Sequence, residues 1–221
     1  MKTLNDYFEE IHCVNLDKRT DRWEESLEEF EKHNIKSERF SALKGSDFPK
    51  DSVLGKRYRS IGLNSGQVGC SISHRELVKK IKSRNLNNAL ILEDDVEFVD
   101  NLNSIFPEMM NQVPEDWDML YFGGNHCANN IYNPQSKLMQ ISKNIFRVTN
   151  CYTTHAYAIK NTVYDKMISV WEDDVIDHVD VCLSKVQKEV NCYIIRPHLA
   201  WQRPSFSDLQ RQFETYDFLK N

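Results

Sequence analysis

Short apolar runs alternate along this chain with stretches of helical period. Residues 11–16 (Ile-His-Cys-Val-Asn-Leu) read as a strand. Trp23, Leu27 and Phe30 follow at i, i+4 and i+7, the spacing of one helix face. Asp21 is placed to cap that helix, with Glu24 three residues on, and Asn34 is placed to stop it. Residues 35–43 read as an edge strand. Residues 44–64 carry Gly45, Pro49, Gly55 and Gly62 among charges and read as a long loop, the kind that is often functional.

Asn64 with Gln67 marks the next helix start, and Val68, Ile72, Leu77, Val78 and Ile81 give it a packed face. Ala89-Leu-Ile-Leu is continuously apolar, which predicts a parallel strand buried on both faces. A second such run, Met119-Leu-Tyr-Phe122, closes on Gly123-Gly124. Further strands are predicted near 145–149, 155–160 and 192–196, and helices near 161–171 and 178–190. Residues 125–144 and the tail after Pro197 read as irregular. Strands alternating with helices predict an α/β sandwich around a mostly parallel sheet, with residues 1–221 as a single domain.

Composition narrows the function. The formal net charge of −5 provides no overall basic surface, which argues against nucleic acid as a partner. No run of 18 apolar residues is present, so no transmembrane helix is expected. The opening MKTLNDYFEEIHCVNL has acids where a signal peptide needs an apolar stretch. Six cysteines without a Cys-x-x-Cys spacing read as buried free thiols. Together these suggest a cytoplasmic protein. Neither the Gly-rich dinucleotide fingerprint nor a P-loop follows the first strand.

The most informative chemistry is Glu93-Asp94-Asp95, directly after the buried run. Ligands of open α/β sheets bind at the carboxyl ends of strands. Three adjacent acids there repel one another, and a hard divalent cation such as Mg²⁺ or Mn²⁺ would neutralise them. In an extended chain Glu93 and Asp95 point one way and Asp94 the other. Such a site, leaving coordination positions open, suits a diphosphate. A solvated acidic turn is the alternative. A second run, Glu172-Asp173-Asp174, follows a helix and reads as a solvated loop.

Seven blocks carry a resemblance that covers nearly the whole chain. They are Cys13-Val-Asn-Leu-Asp-Lys-Arg-Thr-Asp-Arg22, Ser65-Gly-Gln-Val-Gly-Cys-Ser-Ile-Ser-His74 and Leu90-Ile-Leu-Glu-Asp-Asp-Val-Glu-Phe98. Next come Trp117-Asp-Met-Leu-Tyr121, Thr154-His-Ala-Tyr-Ala-Ile159, Val179-Asp180 with Leu183, and Pro197-His198 through Ser207-Asp208. Each is weak alone. In this order they resemble glycosyltransferase family 25, which holds bacterial lipopolysaccharide and lipooligosaccharide transferases and collagen hydroxylysine galactosyltransferases. Two positions depart from it: Gln67 stands where collagen-type members often carry Glu, and Ala156 where many carry Gly.

The resemblance implies a GT-A-like, Rossmann-type fold, a UDP-sugar donor, a divalent metal (Mn²⁺ or Mg²⁺) and inversion at the anomeric carbon. It implies metal ligation by Asp95 with Glu93 or Asp94, and by His198 in the collagen-type pattern. Asp180 matches the general base, although a first-turn helix acid is the alternative. Asn15, Arg19 and Arg22 would hold the nucleotide, and Ser73 and His74 the donor sugar or phosphates. Arg19 and Arg22 also suit a solvated helix start, and His74 a packed core position. Trp201 would offer a ring to a sugar or simply pack, and Ser207 with Asp208 would order the tail. The implied reaction moves a hexose from UDP-galactose or UDP-glucose to a hydroxyl of a glycan or hydroxylysine. A nucleotide-sugar-binding protein without turnover and a UDP-sugar hydrolase are the rival readings.

Overall fold

The computed structural model describes residues 2–126, 138–207 and 212–215. Its strands are β1 (Glu10–Asn15), β2 (Glu38–Ser41), β3 (Asn88–Glu93), β4 (Val96–Phe98), β5 (Met119–Tyr121), β6 (Leu138–Gln140), β7 (Ile145–Val148), β8 (Ala156–Lys160), β9 (Cys192–Ile195), β10 (Ala200–Gln202), β11 (Ser205–Ser207) and β12 (Gln212–Glu214). The helices are α1 (Thr20–Lys32), α2 (Val53–Ser60), α3 (Ser65–Ser83), α4 (Leu102–Met110), α5 (Tyr164–Ser169) and α6 (Val179–Gln187).

Eight strands form one sheet in the order β2-β1-β3-β8-β5-β9-β7-β6. Only β8 and β7 run against the other six, so the sheet is mostly parallel by direction. The expected α/β sandwich is therefore present. Strand β3 corrects the expectation of purely parallel neighbours: it pairs parallel with β1 but antiparallel with β8. Its alternation explains the continuous apolar run. Ala89 and Ile91 pack on one face with α3, α5 and α6, while Leu90 and Leu92 pack on the other with Phe30 of α1 and Phe106 of α4.

Local signals account for several boundaries. Asn64 caps α3 by accepting from Gln67 N, while Gln67 Oε1 accepts from Asn64 N, both at 2.9 Å. Asn34 takes the left-handed conformation (φ 55°) just past α1, which asparagine tolerates. The expected Asp21 cap is not formed: α1 starts at Thr20, with Asp21 inside its first turn. The 44–64 segment is not all loop, because α2 lies within it, capped by Ser52, which accepts from Gly55 N at 3.0 Å. The tail after Pro197 is also more ordered than expected: β10 pairs with β4, and β11 with β12.

The chain reverses its winding next to the future site. The β1 to β2 connection runs through α1 on one face, and the β2 to β3 connection runs through α3 on the other. The carboxyl ends of β1 and β3 therefore flank a topological switch point, where such sheets open a crevice. Among the described residues no helix is long and apolar enough to cross a membrane.

Candidate active site

A cavity of about 510 Å³ opens at that switch point. Its walls come from the ends of β1 and β3, the segment after β2 and the first turns of α3. Val14, Leu16, Ala42 and Leu43 supply apolar lining; Lys18, Arg19, Arg22 and Lys44 supply positive charge; Glu93, Asp94 and Asp95 supply negative charge. One wall depends on glycine. A Cβ on Gly69 would lie 2.6 Å from Leu43 O, and one on Gly45 would lie 2.0 Å from Ser65 O. Only bare backbone lets the 43–46 segment approach α3 this closely.

The three acids separate into two environments. Thr154 Oγ1 donates to Glu93, and His74 Nε2 lies 3.4 Å from Glu93 Oε1. Burial works against the Glu93 charge, but His74 and Thr154 prevail and hold its carboxyl below the usual range. Asp94 accepts from Asn15 Nδ2 at 2.7 Å and from Arg22 Nη1 at 2.8 Å. The same Arg22 nitrogen reaches Asp95 Oδ2 at 3.5 Å. Burial raises Asp94, and burial followed by the Glu93 charge pushes Asp95 up to about 7. The expected alternation, Glu93 with Asp95 and Asp94 opposite, is thus replaced. The chain turns after Glu93, and Asp94 and Asp95 share one guanidinium.

Asp95 Oδ1 is buried and has no hydrogen-bond partner among the described residues. An unpaired buried carboxylate oxygen is costly, and a hard cation would satisfy it. The oxygen donors at this turn therefore match a hard divalent ion in kind.

Seven of the expected residues line the cavity: Arg19, Arg22, Ser73, His74, Glu93, Asp94 and Asp95. Asn15 lies just behind them, donating to Asp94 and to Arg19 O at 3.0 Å and accepting from Arg39 Nε at 2.8 Å. Arg19 pairs with Asp21 at 2.8 Å. Ser73 Oγ donates to Gly69 O at 2.6 Å and accepts from Leu43 N at 2.8 Å, so it fixes the wall.

Other expected residues lie elsewhere. His198 is outside the cavity lining, with its Nε2 3.0 Å from His126 Nε2. Trp201 donates to Glu97 Oε2 at 2.8 Å and does not line the cavity. Ser207 ends β11, and Asp208 lies outside the described residues. Asp180, the second residue of α6, accepts from Val181 N at 2.9 Å and is raised by burial. It does not line the cavity, although its charge acts on Cys70, which does.

Sequence reasoning missed Cys70, Thr154, Gln202 and Arg203. Strand β8 runs antiparallel to β3, so its start delivers Thr154 to the end of β3. The β10–β4 pairing draws the tail past the acid turn, where Arg203 N donates to Asp95 O at 2.7 Å and Gln202 Nε2 lies 3.4 Å from Asp95 Oδ2.

The profile of glycosyltransferase family 25 (LPS biosynthesis protein) matches residues 8–158, about two thirds of the chain. This chain belongs to glycosyltransferase family 25. The match takes in the cavity acids and α3 and ends before Asp180 and His198. Human procollagen galactosyltransferase 2 is 25% identical over 174 residues, covering 73% of this chain and 27% of that protein. A human protein named inactive glycosyltransferase 25 family member 3 is 28% identical over 129 residues, covering 52% and 22%. The chain thus spans about a quarter of the length of these relatives. Among solved structures, the apo-form glycosyltransferase GlyE of Streptococcus pneumoniae TIGR4 aligns with a TM-score of 0.46 at 11% identity, covering 82% of this chain and 44% of that one.

Proposed function

We propose that this chain is a GT-A-like, metal-dependent, inverting hexosyltransferase that uses a UDP-sugar. The observation that carries the reading is the cavity at the switch point, where an apolar slot, four cationic side chains and a buried acid turn converge. Its volume of about 510 Å³ suits a nucleotide-sized ligand. The slot formed by Val14, Leu16, Ala42 and Leu43 suits the flat face of a base. Lys18, Arg19 and Lys44 suit a diphosphate, to which arginine offers paired donors.

A divalent ion, Mn²⁺ or Mg²⁺, held by Asp95 would supply charge neutralisation for the departing diphosphate. The residues of the chain do the rest. Arg22 holds Asp94 and Asp95 close together and offsets part of the cost of their burial. Asn15 orients Asp94. Asp180 accepts the proton of the acceptor hydroxyl as its oxygen bonds to the anomeric carbon. The bond from that carbon to the diphosphate breaks, and the electron pair leaves with UDP. His198 is a candidate further ligand. Trp201, Ser207 and Asp208 are candidates for acceptor and tail contacts.

Galactose or glucose is the proposed sugar, and a glycan or hydroxylysine hydroxyl the acceptor, in keeping with the names of the family and its relatives. The five described cysteines are free, which supports a reducing compartment such as the cytoplasm. A second reading, binding without turnover, is favoured by the relative named as inactive. Calorimetry with UDP-galactose and UDP-glucose, with and without Mn²⁺, tests the binding half of the proposal. Binding that needs Mn²⁺ and weakens in Arg19→Ala supports it; no binding of any UDP-sugar refutes it.

A further inference from the structure

Three side chains of different chemistry converge on the cavity wall beside the acid turn. Cys70 and His74 are four residues apart on α3 and so share one helix face. Glu93 reaches them from the end of β3. One ligand atom from each of the three lies within 4.8 Å of the other two. Asp94 and Asp95 are not part of this group.

The cluster has the marks of a coordination site. His74 is fully buried, and its Nδ1 is fixed at 2.8 Å by the Tyr157 hydroxyl. A ligating imidazole is typically oriented in this way through its other nitrogen. Its Nε2 faces Glu93 at 3.4 Å and forms no hydrogen bond. Glu93 is itself fixed by Thr154. Burial, and then the charges of Glu93, Asp180, Asp95 and Asp94, push the Cys70 thiol well up while no ion is present; the same negative charges favour a cation beside it. All three ligands line the cavity, so solvent can take a fourth position.

We propose that Cys70, His74 and Glu93 form a second metal site, selective for a soft divalent ion such as Zn²⁺ and distinct from the oxygen site at Asp95. A thiolate and an imidazole select zinc over Mg²⁺ or Mn²⁺, which prefer oxygen ligands. Four-coordinate zinc with three protein ligands and one open position is an established geometry. It needs the ligand atoms to close to roughly 3.3–3.8 Å, a small movement of the Cys70 and Glu93 side chains. On binding, the thiol proton passes to solvent, leaving thiolate, carboxylate and neutral imidazole around the ion. The ion would occupy the inner wall of the cavity and compete with any ligand that fills it. The inference stands on the cluster and does not depend on the transferase reading.

The test is titration of the metal-stripped full chain with Zn²⁺ and, as a spectroscopic reporter, Co²⁺. The expected result is one equivalent bound, with a thiolate-to-cobalt charge-transfer band. Cys70→Ser, a nearly isosteric change, should abolish that band and weaken Zn²⁺ binding roughly tenfold or more. Asp95→Asn should leave the band in place, and excess Mg²⁺ should not displace the zinc. A wild type that binds no Zn²⁺, or a Cys70→Ser variant that binds it as tightly as wild type, overturns the proposal.

Discussion

Replacing Asp95 by asparagine removes a carboxylate whose ionisation the folded chain resists. Burial, the neighbouring Glu93 and Asp94 charges, and only partial relief from Arg22 push it from an ordinary 3.8 up to about 7. Each unit of difference corresponds to about 1.4 kcal/mol. A carboxyl raised in the folded state contributes stability that is fully present below about 4 and is lost as pH rises through about 7. Between about pH 5 and about pH 8 this amounts to roughly 2–3 kcal/mol in the metal-free wild type. Asparagine does not titrate, so that slope disappears. Urea unfolding in EDTA at the two pH values measures it. The wild type should lose more stability than Asp95→Asn across the interval. Added Mn²⁺ should restore the wild type at the higher pH by mass action and leave the variant unchanged. Parallel pH profiles for the two proteins, or equal stabilisation by Mn²⁺, would refute the reasoning.

Arg22→Met leaves Asp94 and Asp95 without their shared cation and Ser205 without its 2.7 Å donor, so unfolding should occur with about 3–5 kcal/mol less stability. Unchanged denaturation midpoints would show that solvent already screens the pair. Gly69→Ala drives a methyl group into Leu43 O and should cost about 1–3 kcal/mol, with nucleotide affinity falling in parallel in calorimetry. Asp180→Asn should lower kcat by about 10²–10⁴ while donor affinity stays at the wild-type level. A wild-type turnover number would remove Asp180 from the chemistry.

Much of the fold was legible because its signals are local. The Asn64–Gln67 capping box, the left-handed Asn34 and the apolar run of β3 each declare themselves within a few residues. Helix α2 was missed although Leu54, Tyr58 and Ile61 recur at helical spacing behind Ser52, because Gly55 and the surrounding charges argued for a loop. Strand direction was not legible: nothing in 156–160 shows that β8 runs against β3. The tail strands β10 to β12 have three residues each, too short for a periodic signal.

The site divides along the same line. The acids at the end of β3 and the arginines at the start of α1 are read from strand-end and helix-start patterns. Cys70 and Thr154 join Glu93 only through tertiary topology, and Arg203 reaches Asp95 O only because β10 pairs with a strand about a hundred residues earlier. At His198 the family resemblance implied a ligand, and the tertiary structure brings its ring nitrogen against His126, a neighbour the sequence did not announce.

The most direct test of the central claim is UDP release from a panel of UDP-sugars by wild type and Asp95→Ala, each with Mn²⁺ and with EDTA. The account predicts slow release from one hexose donor without acceptor, dependent on Mn²⁺ and abolished in the variant. Release that survives both EDTA and Asp95→Ala, or a wild type that neither binds nor cleaves any UDP-sugar, would contradict it.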